Sequence, residues 1–226
     1  MTAPISKETR SLVRILDHHG IGCVLDVGAN VGQYATRLRQ GGWGGRIVSF
    51  EPLPDAHAAL AQASASDARW EVAPGMALGA SAGTLSLNVS AESDMSSALP
   101  FVPEMADLLD SAAYTGTVTV PLVRLDEVFD RYAGNTDRVL LKIDTQGTEA
   151  AVLEGASGIM DRIHAIQLEL SIVPVYLGER TYLDMIGAMD KLGFQPVLFI
   201  PGYFNQRSAR LISMDGVFIR DRGKFT

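Results

Sequence analysis

The sequence predicts an α/β fold: a mainly parallel sheet with helices on both faces and an antiparallel hairpin at its C-terminal end. Three observations carry that expectation. Short, nearly continuous apolar runs such as Cys23-Val24-Leu25-Asp26-Val27 alternate with amphipathic stretches, the pattern of buried parallel strands joined by helices. The first run ends in a turn with glycines at positions 28 and 32 and opens directly into a helical stretch. The last two runs, 194–200 and 211–219, are separated by the turn-rich Pro201-Gly202-Tyr203-Phe204-Asn205, so they are expected to fold back on each other.

The elements follow in order. Ser6 precedes Leu12, Val13, Ile15 and Leu16 at helical spacing and Gly20 stops the stretch, so residues 1–20 hold an N-terminal helix. Residues 23–27 and 46–51 read as strands, and 31–40 and 54–63 as the helices after them. Residues 70–73 and 84–89 read as further strands. The stretch 90–116 is rich in Ser, Ala and Pro without a clear period. That is long for a structureless connection, so it is expected to be a substrate lid or to hold a short helix. Residues 117–123 form a strand, and Asp126 is placed to cap a helix running to about Tyr132. Alternation then resumes with strand 139–144, a helix over 148–160 interrupted near Gly155 and Gly158, strand 165–171, and helix 181–192 closed by Gly193. No repeat or linker divides the chain, so residues 1–226 are read as one domain.

Composition narrows the function. A formal charge of −7, with no Lys/Arg cluster interleaved with aromatics, argues against nucleic acid as a partner. No run of about 18 apolar residues occurs and residues 1–10 are polar, so neither a membrane span nor a secretory signal is expected. The single cysteine, Cys23, has no internal partner, which points to a reducing, cytoplasmic setting. A homodimer is compatible with all of this, although nothing in the sequence fixes the oligomeric state.

The most informative feature is a set of acids at strand ends. Asp26, Glu51, Asp144 and Glu169 each lie near the carboxyl end of a predicted strand, the edge where open parallel sheets bind ligands. Carboxylates there cost desolvation unless something pairs with them, so a cationic or hydroxyl-rich ligand is expected. The turn Asp26-Val27-Gly28-Ala29-Asn30-Val31-Gly32 sharpens this. A nicotinamide dinucleotide would use G-x-G-x-x-G, whereas Asn30 stands here in place of the second glycine. Asp26 is better suited to the amino group of a methionine moiety than to a pyrophosphate. Glu51 is placed to accept both hydroxyls of a ribose. Together they favour S-adenosylmethionine, on a Rossmann-like scaffold, over NAD.

The order of motifs resembles the FkbM family of methyltransferases over most of the chain. The resemblance runs through D-V-G-A-N-V-G at 26–32, F-E-P at 50–52, A-L-G at 77–79 and R-L-D at 124–126. It continues through K-I-D-T-Q-G-T-E at 142–149, V-L-E-G-A at 152–156 and L-E-L-S at 168–171, the K-I-D-x-x-G-x-E run being the most specific. Where the family usually carries Asn before A-L-G, this chain reads Pro74-Gly75-Met76. The resemblance implies a class I fold and a cofactor site that includes Asp26, Gly28, Asn30, Gly32, Glu51 and Pro52. It also implies O-methylation, often of a sugar or polyketide hydroxyl, so the expected partner is a small-molecule hydroxyl acceptor.

A hydroxyl acceptor benefits from a base. His18 and His19 lie near a helix end before the first strand, His57 on a helix, and His164 at the start of a strand, so none is expected at the ligand edge. Asp144 is the first choice to orient or deprotonate the acceptor, with Glu149 and Glu169 as further candidates and Lys142 expected to neutralise a neighbouring carboxylate. Glu149 also suits the start of a helix. Asp144 and Glu169 are the pair that would hold Mg²⁺ if any metal is used. Ser96 and Ser97 belong to the candidate lid and are read as substrate contacts. Tyr176, Tyr182 and Tyr203 suit either a sugar-stacking wall or the core. The competing functions are an NAD-dependent oxidoreductase and a non-catalytic S-adenosylmethionine-binding module. An N-methyltransferase would more often show Pro-Pro-Tyr where this chain reads Asp144-Thr145-Gln146-Gly147.

Overall fold

The computed structural model describes residues 5–91, 93–106, 113–134 and 137–220. Helix α1 (Lys7–His18) starts on Ser6, whose hydroxyl accepts from Thr9 N at 3.1 Å. It leads into β1 (Cys23–Val27), α2 (Gln33–Gln40), β2 (Arg46–Phe50), α3 (Pro54–Ser64) and β3 (Trp70–Val72). Three strands follow, β4 (Ala77–Leu78), β5 (Gly83–Ser90) and β6 (Tyr114–Val123), with the short helix α4 (Pro103–Ala106) between the last two. The chain continues through α5 (Leu125–Tyr132), β7 (Val139–Ile143), α6 (Glu149–Gly155), β8 (Ile163–Ser171) and α7 (Tyr182–Lys191). It closes with β9 (Phe194–Pro201), the small pair β10 (Phe204–Asn205) and β11 (Arg210–Leu211), and β12 (Ser213–Arg220).

Seven strands form the main sheet in the order β3-β2-β1-β7-β8-β12-β9. The pairs β3–β2, β2–β1, β1–β7 and β7–β8 are parallel, whereas β12 runs antiparallel to both β8 and β9. The closing strands thus form the expected hairpin, and β12 inserts between β8 and its own partner. Alternating side chains bury both faces. Val24, Ile47 and Leu140 pack against Leu12, Leu16 and Leu38 of α1 and α2, while Leu25, Leu141 and Ile143 pack against Phe129, Val152 and Met189 of α5, α6 and α7. This two-sided burial explains why the central strands read as continuous apolar runs. Strands β4, β6 and β5 make a second, three-stranded sheet, whose Ala77, Leu87 and Val120 pack on Leu53 and Ala56 at the start of α3.

Two local expectations are corrected. The first crossover helix begins at Gln33 rather than at residue 31, because Gly32 turns the chain at φ 90° and a Cβ there would lie 2.7 Å from the Trp70 ring. Asp126 sits inside α5, after Arg124 at the cap position, and pairs with that residue (2.6 Å) instead of capping the helix. Stretch 90–116 does contain a short helix, α4, preceded by a 3-10 turn at Ser93–Met95. Residues 92 and 107–112 within it lie outside the described residues.

Candidate active site

The site forms where two loops touch at the carboxyl ends of β1 and β7. Gly28 N and Ala29 N donate to Phe50 O, and Asp144 N donates to Val27 O, which locks three strand ends together. Gly28 has φ 74°, and a Cβ on it would fall 1.9 Å from the carbonyl oxygen of Asp144, so only glycine allows this approach. Asn30 takes the left-handed region at φ 47° and turns its backbone N–H to Glu51 Oε2 at 2.8 Å. Leu53 N holds the other oxygen, Oε1, at 2.8 Å. Burial raises the Glu51 pKa and these two N–H donors oppose the rise.

A cavity of about 380 Å³ opens above this junction. One end is polar and includes Gly28, Asn30, Tyr34, Lys142 and Asp144; the other is apolar and includes Phe50, Met76, Leu78, Leu85 and Leu87. Asp94 and Ser96 of the segment after β5 also line it, as do Pro52, Arg37 and Gln146.

Of the residues expected from sequence, Gly28, Asn30, Glu51, Pro52, Ser96, Lys142 and Asp144 line this cavity. The others stand behind it. Asp26 has no exposed surface; Lys142 Nζ lies 3.0 Å from its Oδ1, and the Ser49 hydroxyl reaches Oδ2 at 3.3 Å. Ser49 in turn accepts from the Trp70 indole N–H at 3.0 Å. Lys142 thus stands between Asp26 and the cavity, and its ammonium also reaches Asp144 at 3.6 Å. Burial alone would lower the Lys142 pKa, but the charges of Asp26 and Asp144 more than offset it and hold the ammonium above its ordinary range. Gly32 packs under Trp70 and Leu60. Ser97 is buried and donates to Gln146 O at 2.6 Å, so it fastens the segment rather than facing the cavity.

Glu149 and Glu169 are also behind the wall. Glu149 Oε1 accepts from Thr145 N (2.9 Å) and Gly147 N (3.2 Å), which folds the loop after β7. Burial pushes its carboxyl up to about 7, although those N–H donors oppose the shift. Glu169 is pushed up to about 8 by burial and by the charges of Asp144 and Glu149. Asp215, opposite Glu169 in the β8–β12 register, is raised to about 6 by burial and by Asp144. Among the described residues no three His, Cys, Asp or Glu side chains converge as a metal site. Between Asp144 and Glu169 sits the Gln146 amide nitrogen, a donor to both at 2.8 and 3.2 Å.

The histidines stay away from the site, His164 at the start of β8 and His57 bonded to Ala73 O at 2.8 Å. Tyr203 is exposed, whereas Tyr176 is buried and stacks on Phe101, which stacks on Tyr114. Sequence reasoning did not single out Gln146, Tyr34, Leu85 or Leu87, and met Met76 only in the Pro74-Gly75-Met76 departure from the family pattern. Gln146 lies inside the most specific motif run; Tyr34, Leu85 and Leu87 carried no signal beyond ordinary core pattern.

The sheet order and the cavity at its carboxyl edge define a class I methyltransferase. A putative methyltransferase from Thermobifida fusca shares the fold at TM-score 0.55 and 12% identity, over 94% of this chain and 79% of that one. An O-methyltransferase from Bacillus cereus, solved in complex with SAH, does so at TM-score 0.51 and 14% identity, over 97% and 84% of the two chains. The methyltransferase domain of bacterial CtHen1 matches at TM-score 0.51 and 11% identity, over 93% and 95%. No curated protein matches the chain. The methyltransferase FkbM domain matches residues 26–196, most of the chain, and the protein belongs to that family. It is thus an S-adenosylmethionine-dependent methyltransferase, and the oxidoreductase alternative falls.

Proposed function

We propose that the protein methylates a hydroxyl of a small molecule, a sugar or secondary metabolite, with Asp144 as the group that meets the acceptor. One observation carries this. Of the four strand-end acids, only Asp144 both lines the cavity and keeps an accessible side chain, 39% exposed, while Asp26 is sealed and Glu51 is buried. Lys142 and Gln146 each take one of its oxygens, at 3.6 and 2.8 Å, and the remaining lone pairs are free to accept from a hydroxyl.

The cavity fits the methyl donor. Its apolar end, with Met76, Leu85 and Leu87, suits an adenine ring. Glu51 is oriented by Asn30 N and Leu53 N and retains acceptor capacity for ribose hydroxyls. Lys142, Asn30 and Gly28 line the end that would take the amino-acid portion. When bound, S-adenosylmethionine supplies a methyl group on a sulfonium, open to in-line attack by an oxygen. Asp144 orients the attacking hydroxyl and accepts its proton, Lys142 keeps the local charge balanced, and the segment with Asp94 and Ser96 closes as a lid over the cavity. The charge of −7 supports a small acceptor over nucleic acid, and the lone, buried Cys23 supports a cytoplasmic setting.

Two measurements test this reading. Titration calorimetry should show binding of S-adenosylhomocysteine and not of NAD; the reverse would sink the donor assignment. Methyl-labelled S-adenosylmethionine should then transfer label to members of a panel of mono- and oligosaccharides and phenolic metabolites. Label appearing only on RNA oligomers in the same panel would overturn the acceptor class.

A further inference from the structure

Gln146 occupies a left-handed backbone conformation, φ 55°, beside Gly147 at φ 96°. Such a conformation in a residue with a long side chain persists only where the surroundings hold it. Four hydrogen bonds do so. Its Nε2 donates to Asp144 Oδ1 at 2.8 Å and to Glu169 Oε2 at 3.2 Å, so both amide hydrogens are spent on carboxylates. Its Oε1 accepts from the Tyr176 hydroxyl at 2.8 Å, and its backbone carbonyl accepts from Ser97 Oγ at 2.6 Å. The Tyr176 ring is itself fixed, stacked on Phe101 at 5.2 Å. A flipped amide would set its oxygen against the Asp144 carboxylate and take a donor from it, so one orientation is favoured.

We infer that Gln146 is the positioning residue of the reaction: it ties Asp144 to Glu169 and, through Ser97 and Tyr176, to two segments, the first of which roofs the cavity with Asp94 and Ser96. This deepens the proposed function and rests on Asp144 being the group that meets the acceptor. Ser97 belongs to the segment after β5, and Tyr176 to the connection between β8 and α7, which are joined by the Phe101–Tyr176 bridge and by Val102 N on Val175 O at 2.8 Å. The anchoring of these segments and the orientation of Asp144 therefore run through one side chain. With Asp144 and Glu169 sharing one amide nitrogen, loss of the amide takes a donor from each. The groups acting on Glu169 are Asp144, Glu149 of α6 and Asp215 of β12, with the Ser213 hydroxyl bonded to it and Tyr176 as the neighbouring phenol. Lys142 of β7 faces Asp144 and Asp215, and Arg37 of α2 acts on Asp215.

The test reads the carboxylates directly. In the full-length protein with ¹³C-labelled Asp and Glu carboxyls, NMR titration gives the midpoints of Asp144 and Glu169. Gln146→Met keeps the side chain's length without its donors and should move the Glu169 midpoint upward by about one pH unit. Tyr176→Phe keeps the ring stack and should move it the same way by less. In the double variant Tyr176→Phe should add nothing, because its hydroxyl acts through the amide. Unchanged midpoints in Gln146→Met, or an additive double variant, would overturn the inference. A merely structural Gln146 would lower the melting temperature and leave both midpoints in place, which also overturns it. If S-adenosylhomocysteine fails to bind while the midpoints move as expected, the functional reading falls and Gln146 still holds the pair; if it binds and the midpoints stay, only the inference falls.

Discussion

At the scale of single residues, the polar end of the cavity depends on one buried cation shared between two carboxylates. Removing Lys142 leaves Asp26 charged with no exposed surface, so Lys142→Met should destabilise the protein by about 3–5 kcal/mol in urea denaturation, as for a broken buried pair. Asp26→Asn is expected to act on stability first and on donor affinity only through Lys142, because the side chain does not reach the cavity. Asp144→Asn should behave in the opposite way. Its amide keeps the carboxylate's shape at an accessible position, so the melting temperature and S-adenosylhomocysteine affinity should stay near wild type. Turnover on the identified acceptor should fall about 10²–10⁴-fold, the scale for losing general base help. Turnover within a few-fold of wild type would remove Asp144 from the mechanism.

At the scale of elements, the roof over the cavity is built from segments with little regular structure. Residues 93–106 are held by Ser97 on Gln146 O, by the Phe101 stack, and by Leu177 N on Pro100 O. Few of these anchors lie in the main core, so the segment belongs to the low-stability end of the molecule. Ser97→Ala removes its buried hydroxyl bond to the loop after β7. Hydrogen exchange in residues 93–106 should then accelerate about five- to tenfold, the size expected for losing about 1 kcal/mol, while β1 and β7 exchange as before. Equal exchange in both proteins would show that the roof is anchored elsewhere.

For the molecule as a whole, pH dependence follows from three buried or half-buried carboxyls. Glu169, Glu149 and Asp215 are raised to about 8, 7 and 6, in each case with burial as the leading cause. The native state therefore holds more protons than the unfolded chain between roughly pH 4 and 8. The stability from these groups is fully present below that window and is lost as pH rises through it. Asp67, Asp126 and Asp184 are shifted the other way by hydrogen bonds, and their contribution is lost only as pH falls through their lowered values. Melting temperature should thus be highest near pH 5 and lower at pH 8.5 by about 5–10 °C, if the window is worth about 2–3 kcal/mol. Glu169→Gln should flatten about half of that fall, since the neutral amide needs no proton to be buried and Glu169 is the most strongly shifted of the three. A melting temperature that rises from pH 5 to 8.5 would show that the three carboxyls are ionised in the native protein.

The sequence by itself determined the architecture, because a strand buried on both faces has to be apolar along its length and a chain turning between sheet and helix has to carry glycine at particular positions. Cys23-Val24-Leu25-Asp26-Val27, Gly28 and the closing pair of runs were legible for that reason. It also pointed to the edge of the sheet where the cavity opens, since Asp26, Glu51, Asp144 and Glu169 lie at or near strand ends on that edge. Only the tertiary structure decided which of those acids a ligand can reach. Residues at equivalent positions on neighbouring strands differ by whether a side chain from elsewhere covers them. Lys142 covers Asp26, and the Gln146 amide stands between Asp144 and Glu169. The apolar end of the cavity was hidden for a similar reason: Leu85 and Leu87 come from the small second sheet, and a leucine facing a cavity has the same local pattern as one facing a core. Accessibility is set by contacts between segments far apart in the chain, and local spacing carries no record of them.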